Sequence, residues 1–182
     1  WSAISGNLAN ENLSLLAIDN AGNYIYTATG KRIFKTSNGG GSWIEVTTGL
    51  PVANAVISRL YVQPTNGNNV WVVFSSHSAG NKVFYSSNAG NTWTNISGTL
   101  PNLPFNTIVL DINSTDQTLF LGGDVGIYTR NVNSSDWSPF STNLPNVPIY
   151  DLKIDYNSGK LIAGSFGRGV WTSPINTSTN PP

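Results

Sequence analysis

An all-β chain built of four tandem units is what the sequence predicts, and three observations carry the prediction. Tryptophans recur at 1, 43, 93 and 137, spaced 42, 50 and 44 residues apart, each followed by the same text: WSAISGNL, WIEVTTGLP, WTNISGTLP, WSPFSTNLP. Between them lie short β-rich runs punctuated by Gly, Asn and Ser. No stretch sustains the apolar periodicity of a helix.

Each unit reads as four strands. The first run is LSLLAID, VISRLYVQP, TIVLDIN or IYDLKID, with Ile57, Leu60 and Val62 marking its apolar face in the second unit. A turn follows (NAGN, TNGNN, STDQ or YNSG), then a second strand: YIYTAT, VWVVFSS, TLFLGG or KLIAGS. A glycine-containing loop leads to the third strand: RIFKT, KVFYSS, GIYTR or GVWTS. The third strand enters a hairpin that closes on Trp, SNGGGSW at 37–43 and SNAGNTW at 87–93, while RNVNSSDW keeps only the end of it before Trp137. Glycine permits positive φ in such a turn, and an Asn side chain can bond the loop's own backbone. The Trp covers the turn, and the fourth strand follows it.

A four-stranded unit repeated at this spacing predicts β-propeller blades. One small sheet cannot bury both its faces; neighbouring blades stack and bury them for each other. The blades span residues 1–175, with repeats starting near 1, 43, 93 and 137, and 176–182 (NTSTNPP) reads as a linker. The fourth unit has no outer strand after GVWTSPI. WSAIS could supply it in a closed four-bladed ring, but Trp1 starts in the middle of a motif. An open four-blade arc would expose two blade faces, so the four blades are expected to belong to a larger ring.

Composition narrows the function classes. Nine Lys and Arg balance nine Asp and Glu, so net charge is zero and the basic footprint of a nucleic-acid partner is missing. No apolar run approaches the roughly 20 residues of a membrane helix, so no membrane insertion is expected. Cys is absent, which removes disulfide and thiol chemistry. Met is absent too, even at position 1, which reads as a processed or excised chain. Sequons stand at Asn12, Asn95, Asn113, Asn133 and Asn176; in so Asn-rich a chain most read as chance, and they matter only in a glycosylating host.

The hairpins resemble the Asp-box, or BNR repeat, Ser-x-Asp-x-Gly-x-Thr-Trp. That box occurs in sialidase, xyloglucanase, sortilin-type and photosystem-assembly-factor propellers. The matching residues are Ser37, Asn38, Gly40 and Trp43, then Ser87, Asn88, Gly90 and Trp93, with Asn in place of the usual Asp. The resemblance implies a structural role for these turns and a propeller fold. The ending LIAGSFGRGVWTSPI looks like the last blade of secreted bacterial propellers, which implies a secreted or cell-surface setting. The function stays open, because the box is structural in the family.

Alternating strand direction sorts the loops. Loops between second and third strands share one face with the inter-blade connections, and that face carries sites in the resembled family. It gathers Arg32, His77, Asp124 and Arg168 as candidate ligand-binding residues, with Lys31, Lys82, Glu11, Phe105, Tyr150 and Phe166 nearby. His77, the single histidine, reads first as a solvated loop residue. Arg168, between two glycines, reads as a tight-turn residue with Asp124 of the adjacent blade as candidate partner, or else as a contact to an anion or sugar hydroxyl. No cluster has metal-ligand spacing, and no metal or cofactor is expected. Four arginines and two glutamates fall short of a sialidase's set, and no facing pair of acids is marked for glycoside hydrolysis. The expectation is a non-catalytic propeller portion serving adhesion, scaffolding or binding of a glycan or protein, within a protein that holds further blades or domains. The alternative is a fragment of a sialidase- or xyloglucanase-like enzyme whose catalytic residues lie in other blades.

Overall fold

The computed structural model describes residues 1–8 and 10–175. Apart from one 3-10 turn at Gly6–Leu8, its regular elements are strands in four antiparallel sheets. Blade 1 is β1 (Leu15–Ile18), β2 (Ile25–Ala28), β3 (Ile33–Thr36) and β4 (Ile44–Glu45). Blade 2 is β5 (Ile57–Gln63), β6 (Asn66–Phe74), β7 (Val83–Ser86) and β8 (Thr94–Asn95). Blade 3 is β9 (Phe105–Leu110), β10 (Leu119–Gly123), β11 (Gly126–Arg130) and β12 (Ser138–Pro139). Blade 4 is β13 (Ile149–Asp155), β14 (Lys160–Ser165) and β15 (Val170–Pro174). The chain is a run of β-propeller blades. Among the described residues the fourth sheet has three strands, the unit for which the sequence shows no outer strand after GVWTSPI. The 176–182 linker lies outside the described residues.

The core is distributed between blades, as period-2 side-chain alternation requires. Tyr26, Ala28 and Ile33 of blade 1 meet Leu60, Val62 and Val72 of blade 2. Trp71 and Val83 of blade 2 meet Ile108, Leu110 and Leu121 of blade 3. Val109 and Phe120 of blade 3 meet Leu152, Leu161 and Ala163 of blade 4. Where a join is missing, the equivalent residues face out: Leu16 and Ile18 on blade 1 and Val170 on blade 4 are exposed.

The segment TNGNN at 65–69, expected as a turn, is largely drawn into β6: Gln63 pairs with Asn66 across a register shift. Gly67 explains the irregularity. Any Cβ there would lie 2.6 Å from the Asp19 carboxylate and 2.7 Å from the Tyr24 ring, and the Gly67 carbonyl accepts the Tyr26 hydroxyl at 2.7 Å. Blade 2 therefore leans on blade 1 through bare backbone.

The Trp hairpins are links between blades. The Trp43 indole N–H donates to the Ile4 carbonyl at 2.9 Å, Trp93 to Val46 at 2.8 Å and Trp137 to Ile96 at 2.7 Å. Each acceptor lies three residues after the preceding Trp. Inside the turn, Asn38 Oδ1 accepts the Thr36 hydroxyl and the Ser42 N–H, while Thr36 Oγ1 accepts the Gly40 N–H. Asn88, Ser86, Thr92 and Gly90 repeat the pattern. The hydroxyls that close these turns thus belong to Thr36 and Ser86, not to Ser37 and Ser87. Thr36 and Ser86 end their strands pointing inward and are buried; the following serines alternate outward and are exposed.

Residues 1–8 do not close a four-bladed ring. They sit on blade 1 as the outer segment of a preceding blade would, held by Trp43 and by two bonds between the Asn7 side chain and the Trp43 backbone.

Candidate functional site

The inner strands β1, β5, β9 and β13 line the axis. All but β1 open with an irregularity of pairing, at Ser58, Asn106 and Tyr150. The bulged side chains reach the next blade: Ser58 Oγ donates to the Phe105 carbonyl at 2.8 Å and Asn106 Nδ2 to the Ile149 carbonyl at 3.3 Å. An added residue re-aims the side chain that follows it. Arg59, just past its bulge, reaches across the axis to Asp151, just past the bulge in blade 4, at 2.8 Å. This ion pair joins blades 2 and 4 at the axial mouth. Below it an open groove of about 400 Å³ is lined by Leu16, Ile18, Arg59, Tyr61 and Lys153 among others. Burial pushes the Tyr61 phenol up to about 12.

The four candidate ligand residues lie on loops of the same face but are not brought into one cluster of partners. Arg32 is taken up within blade 1: its guanidinium pairs with Glu45 at 2.6 Å and with Glu11, and covers the Phe34 ring at 4.7 Å. The hydrogen bond from Arg32 holds the Glu45 carboxyl below its ordinary range. Asp124 accepts from Asn106 Nδ2 at 3.1 Å. Arg168 is exposed, and its carbonyl receives the Trp171 indole N–H at 3.0 Å. The Asp124–Arg168 pair expected from adjacent blades is not formed: among the described residues the ion pairs are those of Arg32 and Arg59. His77 is exposed on its loop.

Two residues on this face have purposes the sequence did not reveal. Lys82 is buried, and its ammonium donates to the Ser76 carbonyl at 2.5 Å and to Asn102 Oδ1 at 3.1 Å, tying the blade 2 loop to the next connection. Loss of water around it lowers its pKa. Arg59 reaches this face past a bulge that nothing in ISRLYVQ announces.

An exposed aromatic pair remains. Tyr150 and Phe166 meet edge to face with ring centroids 6.0 Å apart, two residues from Arg168. Carboxyls with shifted pKa values are all lowered by hydrogen bonds: Glu45 by Arg32, Asp116 by Ser114, Asp136 by Thr99 and Asp155 by Ser158. A general acid for glycoside cleavage needs the opposite shift. Among the described residues no three His, Cys, Asp or Glu side chains group to hold a metal. No helix of the described residues is long and apolar enough to cross a membrane.

The fold places the chain among solved propellers. The Niastella koreensis GH74 enzyme superposes with a TM-score of 0.69 at 21% identity, over 92% of this chain and 29% of that one. The Myceliophteria thermophila Cps50 (Swd1) β-propeller domain gives 0.68 at 14% identity, over 93% and 54%. The extracellular domain of the putative one component system BT4673 from B. thetaiotaomicron gives 0.68 at 16% identity, over 97% and 23%. The chain thus spans less than a third of the GH74 structures it matches. No protein-family model and no curated protein matches the sequence.

Proposed function

We propose that this chain is a non-catalytic part of a secreted or cell-surface β-propeller of BNR/Asp-box type, binding a glycan or protein through the loop face. The observation that carries the reading is the exposed Tyr150–Phe166 pair beside Arg168. An exposed ring pair, with Phe166 on the same loop as an exposed arginine that makes no ion pair among the described residues, forms a surface for stacking a sugar ring or anchoring a protein side chain. The axial carboxylate Asp151 is committed to Arg59 and Asp124 to Asn106, which leaves no matched acid and nucleophile on this face.

A second reading, part of a carbohydrate-active enzyme, is favoured by the likeness to GH74 structures, one of them a xyloglucanase from Xanthomonas campestris. Its catalytic residues would then lie in further blades. Glycan-array binding with turnover assays on sialosides and β-glucans separates the two. The expected result is binding weakened at least fivefold by Phe166→Ala or Arg168→Ala, without turnover. Turnover abolished by Asp124→Asn or Asp151→Asn would overturn the binding reading in favour of the enzyme.

A further inference from the structure

We infer that Asn38 is a site of self-modification: its side chain loses ammonia to become aspartate, in a turn built to keep the product. Two Asn–Gly steps occur in the chain, Asn38–Gly39 and Asn66–Gly67. At such a step the following backbone nitrogen can attack the asparagine side chain, because glycine has no Cβ to crowd the approach. Whether that nitrogen is free decides each case. The Gly39 N–H is bonded to no group among the described residues. Its counterpart in the twin turn of blade 2 is Ala89, whose N–H donates to the Asn68 carbonyl at 2.9 Å and whose methyl adds a second obstacle. The difference lies within each blade's own sheet. Asn68 belongs to the long β6, whereas the register places Asn23 at the matching point of blade 1, before β2 begins. At the other Asn–Gly step, Gly67 is buried and Asn66 Oδ1 accepts the Asn68 N–H at 3.1 Å. The Asn38 side chain is exposed to water, as is Asn88, which has a whole blade before it.

The chemistry needs water and nothing else. The Gly39 nitrogen bonds to Asn38 Cγ, Nδ2 leaves as ammonia with the amide proton, and a five-membered imide results. Water then opens the ring. Its hydroxyl joins Cγ, and its other hydrogen returns to the Gly39 nitrogen. Water enters, ammonia leaves, and nothing is oxidised or reduced. The amide must shed its proton to attack, so the conversion quickens as pH rises.

The turn fits the product better than the starting residue. Both groups bonded to Asn38 Oδ1 are donors, the Thr36 hydroxyl at 2.8 Å and the Ser42 N–H at 3.0 Å. Only Nδ2 gives a hydrogen, to Ser42 Oγ at 3.0 Å, and a hydroxyl can turn from accepting to donating. Aspartate therefore keeps all three contacts and makes them charge-assisted. Opening the imide at its other carbonyl would give isoaspartate and lengthen the main chain by a methylene. That displaces the Asn38 carbonyl from the Gly41 N–H at 3.4 Å and the Gly40 N–H from Thr36 Oγ1 at 3.1 Å. The turn thus selects aspartate, and the molecule gains a negative charge and a firmer hairpin as it ages.

Incubation of the intact folded chain at mildly alkaline pH, followed by peptide mass spectrometry over time, tests this. Each conversion adds about 1 Da, and fragmentation assigns it to a residue. Asn38 is expected to convert about tenfold faster than Asn66 or Asn88, with the aspartate form exceeding isoaspartate. Gly39→Ala should slow the conversion about tenfold without unfolding the turn, since Ala89 already holds φ 57° at the same point of the twin. Asn38→Asp, made directly, should melt about 2–4 °C above the fresh parent at pH 7. Equal rates at the three asparagines overturn the inference, as does a rate indifferent to Gly39→Ala. So does isoaspartate as the main product, or a melting temperature that Asn38→Asp leaves unchanged or lowers.

Discussion

The hairpins of blades 2 and 3 do the same job with different chemistry. In blade 2, Asn88 knits the turn to itself through Ser86 and Thr92, and Gly90 lies under the Val46 side chain of blade 1 with φ +79°. In blade 3 that turn text is gone. Asp136 instead accepts the Trp137 N–H at 2.8 Å and reaches back to blade 2, accepting both the N–H and the hydroxyl of Thr99. What survives in both is the indole bond to the blade before. Turn chemistry is therefore exchangeable, and the interblade clasp is what the repeated Trp serves.

The largest expected effect bears on that conclusion. Trp43→Ala and Trp137→Ala should each destabilise by about 3–5 kcal/mol, the range for emptying a large aromatic site, although one turn has the Asn network and the other lacks it. Denaturant titration checks this; a loss under about 1 kcal/mol at Trp137 alone would show that the turn network, not the clasp, holds the blades. Next comes Gly40→Ala. Its φ is +94° and an added Cβ would lie 2.4 Å from the Ile4 carbonyl oxygen. A cost of about 1–3 kcal/mol is expected, with release of residues 1–8 to proteolysis. Gly39→Ala, with open space around its Cβ, should leave that segment protected.

The smallest effects separate the two turns. Asn88→Ala and Asp136→Ala should each cost about 1 kcal/mol. Only the second should change the acid limb. Hydrogen bonds from Thr99 lower the folded-state pKa of Asp136, so its contribution is present above the unfolded carboxyl pKa of about 3.9 and is lost as pH falls through the folded value. A thermal melt series from pH 5 to pH 2 is expected to lose less stability in Asp136→Asn than in the parent. Calcium should leave the melting temperature unchanged in parent and Asn88→Ala alike; a saturable rise abolished by the substitution would make Asn88 a ligand.

Blade architecture was readable because it is written in spacing. Trp at one position per unit, and Leu60, Val62, Ile108 and Leu110 at strand period, reflect burial that every blade repeats. The turns were readable in kind but not in detail: Ser37 and Thr36 are neighbours, and which hydroxyl enters the turn depends on where β3 stops alternating. The axial mouth was hidden for a different reason. Arg59 and Asp151 lie 92 residues apart and meet because two bulges turn their strands, a property of pairing and not of composition. Arg168 and Asp124 carry the right charges on adjacent loops, yet Asp124 is taken by Asn106 and Arg168 stays exposed. Charge complementarity in a sequence does not report distance.

The indole clasps also set a direction in time. Each Trp finds its acceptor upstream, 39, 47 and 41 residues back, about one repeat. A chain emerging from the ribosome N-terminus first meets every acceptor before its donor, so each new hairpin can lock onto a blade already made. The loop to be closed stays one repeat long however many blades have formed, and its entropy cost does not grow along the chain. The arc is thus suited to assembly by addition, one blade at a time, with the outer Trp of each unit as the latch that admits the next.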